Sequence, residues 1–161
     1  MKLTTKGRFA VTAMLDIALQ APQEHVTIAE ISARRHLSPS YLEQLFGKLR
    51  KAGLVEGNRG PKGGYRLAKS SDQIRVDEIL DAVDSTLKTS ECTKSRAGCD
   101  GQGECITFDL WDSLNEEMRK FLHDISLKDL AEKKLLKDQG IQQVKIVKPS
   151  KSNCSKNKWS P

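Results

Sequence analysis

Three of the chain's four cysteines lie close together in a segment that has little else to fold around. Cys92, Cys99 and Cys105 are separated by six and five residues, with three glycines and no large apolar side chain between them. Because such a segment cannot build a hydrophobic core, its ordering needs another source of free energy. Thiolates that bind a metal ion or an iron–sulfur cluster would provide it. The alternative interpretation is a surface loop with incidental thiols.

The rest of the sequence indicates a reducing environment for these thiols. No run of 18 apolar residues is present, so we expect no membrane span, and residues 1–7 do not resemble a signal peptide. We therefore expect a cytoplasmic protein, in which clustered cysteines favour metal binding over disulfides. Cys154 lies apart, in a lysine-rich tail, and is expected to be a free thiol.

Positive charge is concentrated at the two ends of the chain. The net charge is +6, yet residues 70–139 carry more acidic than basic side chains, while residues 1–69 and 140–161 are basic. A basic amino-terminal part favours a polyanionic partner, and nucleic acid is the first candidate.

Two short helices joined by a tight turn are predicted in this basic part. A T-x-x-E capping box from Thr27 to Glu30 opens one helix, and Ser38-Pro39 opens the next, which should end near Ala52. Preceded by a helix over about residues 6–20, this pair is typical of a helix-turn-helix.

A glycine-rich hairpin follows the second of these helices. Strands are predicted over residues 54–56 and 65–68, and the turn between them carries Arg59 and Lys62. A helix-turn-helix followed by a hairpin with a basic tip indicates a winged helix, with Arg59 near the minor groove or phosphates. A phosphate-binding glycine loop is the weaker alternative, since the turn lacks G-K-[ST] and opens no helix.

The residues predicted to contact DNA lie at the start of the second helix or at the tip of the wing. They are Ser38, Ser40, Tyr41, Glu43, Gln44, Arg59, Gly60 and Lys62. Gln44 can pair with adenine through two hydrogen bonds. Glu43 is repelled by phosphates but can accept from cytosine, so it would reject wrong sites more than it stabilises the right one. Alternatively, Glu43 is a solvent-facing charge.

A later helix, from Thr107 to about Asp124, has an apolar repeat. Its large apolar residues are spaced three and four apart: Trp111, Leu114, Met118, Phe121 and Ile125. This a/d pattern predicts a homodimer formed through the helix. Ser126 should cap a last short helix.

The predicted fold is therefore mainly α, a winged helix-turn-helix DNA-binding domain with a long C-terminal dimerisation helix. We divide the chain into a DNA-binding head (residues 1–83), a cysteine-rich cluster-binding loop (84–106), the dimerisation helix with the last short helix (107–138) and a disordered basic tail (139–161).

Several of these motifs occur together, in an order that closely resembles the order found in a known family. Residues 3–11, 37–46, 59–65 and the three loop cysteines are similar to the iron–sulfur winged-helix regulators represented by IscR, a family that also includes the nitric-oxide sensor NsrR. The resemblance covers about residues 1–135. It implies a homodimer on double-stranded DNA, with a [2Fe–2S] cluster on Cys92, Cys99 and Cys105. It further implies control of cluster-assembly genes, as repressor or activator, with cluster donor proteins as partners.

The sequence departs from this family at the fourth cluster ligand. IscR-like proteins have a histidine where this chain has Phe108, and NsrR-like proteins use an acid where it has Arg8. The spacing between Cys92 and Cys99 is also one residue longer than the usual pattern of the family. The ligand thus stays open among Glu91, Asp100, Glu104, Asp109, a small thiol and water. Two alternatives also stay open: an NsrR-like repressor with a [4Fe–4S] cluster, and a zinc-stabilised DNA-binding module. An enzyme is not expected, because the three histidines have no sequence-local catalytic partners.

Overall fold

We describe a computed structural model of the chain, over residues 4–20, 24–58, 60, 63–83 and 107–140. In this part of the chain, six helices and two strands follow one another: α1 (Thr5–Ala18), α2 (Ile28–Arg35), α3 (Pro39–Lys51), β1 (Val55–Asn58), β2 (Gly64–Leu67), α4 (Val76–Val83), α5 (Phe108–His123) and α6 (Leu127–Asp138).

Local capping interactions set the ends of the helices. The Thr27 hydroxyl accepts from the Glu30 backbone N–H at 3.2 Å, and the Thr27 N–H donates to the Glu30 carboxylate at 2.7 Å, which confirms the predicted capping box of α2. The Thr27 N–H and the Thr27 hydroxyl both donate to the Glu30 carboxylate, and these two hydrogen bonds lower the pKa of Glu30. Ser126 caps α6 in the same way. Ser38 occupies the N-cap position of α3 as predicted, but its side chain makes no capping hydrogen bond.

The turn between α2 and α3 uses a left-handed residue. His36 closes α2 with φ 54°, a backbone conformation that redirects the chain within a few residues. Pro39 then occupies the first turn of α3. Backbone N–H groups in the first turn make no hydrogen bond within the helix, so a proline there costs none. The predicted helix-turn-helix is therefore present.

The strands form an antiparallel hairpin close to the predicted positions. Val55 pairs with Leu67 and Asn58 with Gly64. Backbone bonds between Val26 and Tyr65, at 2.9 and 2.8 Å, fasten β2 to the chain that enters α2. Gly64 has φ +151°, and a Cβ there would lie 2.8 Å from the Val26 carbonyl oxygen, so the residue must be glycine. Outside this hairpin, Arg75 forms an isolated antiparallel bridge with Ser126.

One hydrophobic cluster holds the head together. The Phe46 ring at its centre is fully buried and lies 4.6 Å from the Tyr65 ring, between centroids. The buried members come mainly from α1, α3 and α4 and include Ala13, Met14, Ile31, Leu42, Leu45, Phe46, Leu49, Ile79, Val83 and Leu127. Because Leu127 belongs to the cluster, the start of α6 is part of the packed head.

The connection from α5 to α6 is also attached to the head. Ile125 is buried with Val76 and Leu80 in a second apolar cluster. The Val76 N–H donates to the Ile125 carbonyl at 3.1 Å, and the Leu127 N–H donates to the Ile74 carbonyl at 2.9 Å. The prediction that Ile125 belongs to a free dimerisation seam was therefore wrong, because the side chain is already covered by α4. Over the described ranges, no helix is long and apolar enough to cross a membrane.

Candidate nucleic-acid interface

Helix α3 has one sealed side and one open side. Its apolar residues Leu42, Leu45, Phe46 and Leu49 are all buried. Ser38, Ser40, Glu43 and Gln44, predicted to contact DNA, are all exposed. An exposed row of hydroxyl, carboxylate and amide groups on a rigidly packed helix has the chemistry that reads base edges in the major groove.

Tyr41 differs from the other predicted contacts in that its ring takes part in packing. The side chain is half-buried. Its ring meets Phe9 of α1 edge-on, at a centroid distance of 5.8 Å and an interplanar angle of 87°. This contact holds the first turn of α3 against α1, while a role of Tyr41 in DNA binding stays a prediction.

Two arginines that share one buried carboxylate fix α2 against α1, and the sequence interpretation missed these ion pairs. The Asp16 carboxylate is fully buried. It accepts from Arg34 Nε and Nη2 at 2.9 and 2.6 Å and from Arg35 Nε at 2.5 Å. The hydrogen bonds to Asp16 raise the pKa of the Arg34 guanidinium, so this cation stays charged. The available signal was a lone acid inside the apolar sequence of α1.

Positive side chains extend the open surface beyond the first turns of α3. Lys48, Arg50 and Lys51 lie in the last turn of the helix and are exposed. On the wing, Arg66 pairs with Glu56 across the two strands at 2.8 Å, an exposed pair worth less than about 1 kcal/mol. Gly60 has φ +121°, a conformation that favours glycine. Arg59 and Lys62, the predicted cations of the wing tip, lie outside the described residues.

The predicted cluster ligands Cys92, Cys99 and Cys105 also lie outside the described residues. Among the side chains that the structure places, no group of three or more His, Cys, Asp or Glu is arranged to hold a metal ion. Phe108, at the position of the family's histidine ligand, is the first residue of α5. His123 lies at the other end of α5, about 22 Å along the helix, where its Nδ1 is 3.0 Å from the Asp77 carboxylate.

Helix α5 presents large apolar side chains on its surface. Leu110 is 61% exposed and Phe121 47%, and Trp111 and Leu114 are nearly as open. Met118 is half-buried, and Leu122 packs against the cluster of α4. Four of the large apolar residues of this helix are thus exposed in the part of the chain that the structure describes.

A packed helix-turn-helix, an antiparallel hairpin after its second helix and an open polar face together define a winged-helix DNA-binding protein. The family model Rrf2, described as an iron-dependent transcriptional regulator, matches residues 3–133. The chain belongs to the Rrf2 family of transcriptional regulators.

Relatives within the family are similar over most of their length. An HTH-type transcriptional regulator IscR of Aliivibrio salmonicida is 49% identical over 144 residues, covering 89% of this chain and 82% of that protein. The IscR of Vibrio atlanticus is 51% identical over 130 residues, which is 81% of this chain and 75% of the relative. The resemblance to IscR and the expectation of a DNA-binding regulator are confirmed.

Solved structures support the same fold. CymR, the global cysteine regulator of B. subtilis, superposes with a TM-score of 0.71 at 30% identity, covering 83% of this chain and 98% of CymR. T. potens IscR gives a TM-score of 0.66 at 32% identity, covering 90% and 93% of the two chains. These structures confirm the predicted winged-helix class.

Proposed function

We propose that this regulator is a homodimer that reports iron–sulfur status through a [2Fe–2S] cluster on Cys92, Cys99 and Cys105, and that it controls cluster-assembly genes in the cytoplasm. The observation that carries the DNA-reading part is the open row on α3, where Ser40, Glu43 and Gln44 are exposed above a fully buried apolar side. Because the buried side fixes the helix, the open side chains meet the major groove in one orientation.

The dimer is supported by the uncovered apolar residues of α5. The exposed residues of α5 are Leu110, Trp111, Leu114 and Phe121. The end of this helix is attached to the head, because the residues that follow it, Ile125 and Leu127, are buried there. A second copy of the chain can cover the same residues on both partners, which is the usual arrangement in a two-fold dimer. Two heads held in this way would read a two-fold DNA site.

The cluster is supported by the donor chemistry of the sequence. Three thiols in one short segment suit an iron–sulfur cluster, whose usual ligands are cysteine thiolates. When bound, the cluster would act as the sensing group, because its assembly and loss follow the supply of iron and sulfide. Phe108 has no coordinating atom, so the proposal assigns three ligands and leaves the fourth to an acid, a small thiol or water.

The sensing function is tested on protein purified without oxygen. We expect iron, acid-labile sulfide and a [2Fe–2S] visible and Mössbauer spectrum in the wild type, and their loss in Cys92→Ala. Cys154→Ala, which removes the one cysteine outside the loop, is the matched control and should keep the cluster. Binding to a duplex selected from a random pool by the wild type should change when the cluster is removed. A [4Fe–4S] spectrum would favour nitric-oxide sensing, zinc alone would favour a structural metal, and a metal-free protein would refute the proposal.

The DNA-reading assignment has its own test. Arg59→Ala should weaken binding strongly, because a cation placed in a narrow groove is hard to replace. Glu43→Ala should instead raise affinity for mismatched duplexes, by about 1–3 kcal/mol of lost discrimination at one base pair. Lys137→Ala on α6 is the control for charge. Equal rejection of mismatches by wild type and Glu43→Ala would show that Glu43 is only a surface charge.

A further inference from the structure

Helix α4 lies between the DNA-reading helices and α5. It packs against α1, α3 and α5. On the α1 side the contact is tight, since a Cβ on Gly7 would lie 2.7 Å from Leu80 Cδ2. On the α5 side, Asp81 accepts from Arg119 at 3.2 Å. Because these contacts are close-packed, they hold the body of α4 in place against its neighbours.

A polar contact joins the end of α4 to the recognition helix. Lys48 Nζ of α3 donates to the backbone carbonyl of Val83 at 2.9 Å. Val83 is the last residue of α4, so its carbonyl has no partner within the helix, and a cation is favoured at this end by the helix dipole. The Val83 side chain is itself buried in the main cluster.

The two ends of this contact lie at functionally distinct places in the chain. Lys48 is one helical turn beyond Gln44 on α3, so it shares a rigid helix with the predicted base contacts. Val83 immediately precedes residues 84–106, which carry the three cysteines. The Lys48 ammonium thus forms a direct polar contact between the recognition helix and the residue from which the cysteine segment departs.

We propose that Lys48 is a positioning residue through which the state of the cysteine segment sets the orientation of α3 on DNA. This inference rests on the proposed cluster-sensing function. The Lys48 ammonium, held on the Val83 carbonyl, would pass a displacement of the residue at which the segment begins to the helix that carries Glu43 and Gln44. Removal of the ammonium therefore uncouples the two sites.

The test compares DNA affinities of the cluster-loaded and cluster-free protein in Lys48→Met, which keeps a long apolar stem but loses the donor. Coupling between sites commonly amounts to about 5- to 150-fold in affinity. We expect the ratio of the two affinities to fall to within about twofold of unity in the variant, with iron content and oligomeric state unchanged. Lys48→Arg, which keeps a donor, should restore part of the ratio. Lys51→Met, which removes another exposed cation of α3, should keep the wild-type ratio.

A simple phosphate contact by Lys48 gives a different result. In that case Lys48→Met would weaken both forms equally and lower the slope of log K against log salt by about one. An unchanged affinity ratio with that lower slope would overturn the proposal. Equal affinities of the two wild-type forms would instead overturn the sensing function and the coupling with it. Hydrogen exchange on cluster-free protein reports the contact itself: faster exchange at the end of α4 in Lys48→Met supports it, and unchanged exchange contradicts it.

Discussion

Helices α3 and α5 are both amphipathic and of similar length, but they expose opposite sides. In α3 the four large apolar residues Leu42, Leu45, Phe46 and Leu49 are buried, and the polar side is open. In α5 the buried residue is Asn115, while Trp111, Leu114 and Phe121 are exposed. The same kind of sequence pattern therefore serves two different purposes.

The difference follows from what already covers each helix. Helix α3 lies inside the head, where α1, α2, α4 and the hairpin cover its apolar side, so the polar side is left for a polyanion. Helix α5 contacts the head mainly through α4, and those contacts include the ion pair of Arg119 with Asp81 and the polar contact of His123 with Asp77. An apolar surface left open in this way marks an interaction site. The apolar side of α3 is thus covered within one chain, whereas that of α5 is left open for the partner copy proposed above.

The largest difference expected between the two helices is in the stability lost when a phenylalanine of each is truncated to alanine. Phe46→Ala removes a fully buried ring beside Tyr65, and we expect a loss of about 3–5 kcal/mol in the free energy of unfolding. Phe121→Ala removes the same ring from an exposed site of α5 and should change the stability of the single chain by less than about 0.5 kcal/mol. Denaturant unfolding in a Leu114→Glu background would measure both without a contribution from dimerisation. Equal losses would show that α5 is covered by its own chain.

A charge placed on the open side of α5 should disrupt the proposed dimer. Leu114→Glu would bury an unpaired carboxylate between two partners, and we expect dimer dissociation to increase by at least about 100-fold, close to 2.7 kcal/mol. Sedimentation or light scattering across a concentration series measures the dissociation. Lys120→Gln makes the same change in net charge elsewhere on α5 and should leave the dimer intact. A dimer of normal affinity in Leu114→Glu would place the interface on another surface.

A smaller effect is expected where polar contacts hold the head. Asp16→Asn keeps the shape of the side chain but removes the charge that Arg34 and Arg35 share. Both arginines are partly exposed, which limits the loss to about 2 kcal/mol of unfolding free energy. Thermal or denaturant unfolding would show it, and Glu24→Gln, an exposed acid, is the control. A stability equal to that of wild type would mean that the apolar cluster alone fixes α2 against α1.

Much of the head could be predicted because its signals are local. The Thr27 and Glu30 box, the Ser38-Pro39 start of α3 and the glycines of the wing act within a few residues of chain, and their helices and strands appear within one or two residues of the expected limits. The regulator family was also predictable, because several short motifs follow one another in a fixed order. The exposure of Ser40, Glu43 and Gln44 was predictable because the helical period of 3.6 residues places them away from the apolar side of α3.

Other features depended on contacts between residues distant in the chain. A repeat of apolar residues at positions 111–125 cannot tell which of them a neighbouring element already covers, and so Ile125 was assigned to the partner although α4 covers it. The pairing of Asp16 with Arg34 and Arg35, and of Lys48 with the Val83 carbonyl, joins residues 18 to 35 positions apart. The sequence by itself determined the elements, the family and the chemistry available at each position. Only the tertiary structure decided which faces remained open, because burial is a property of packed neighbours and not of the residue alone.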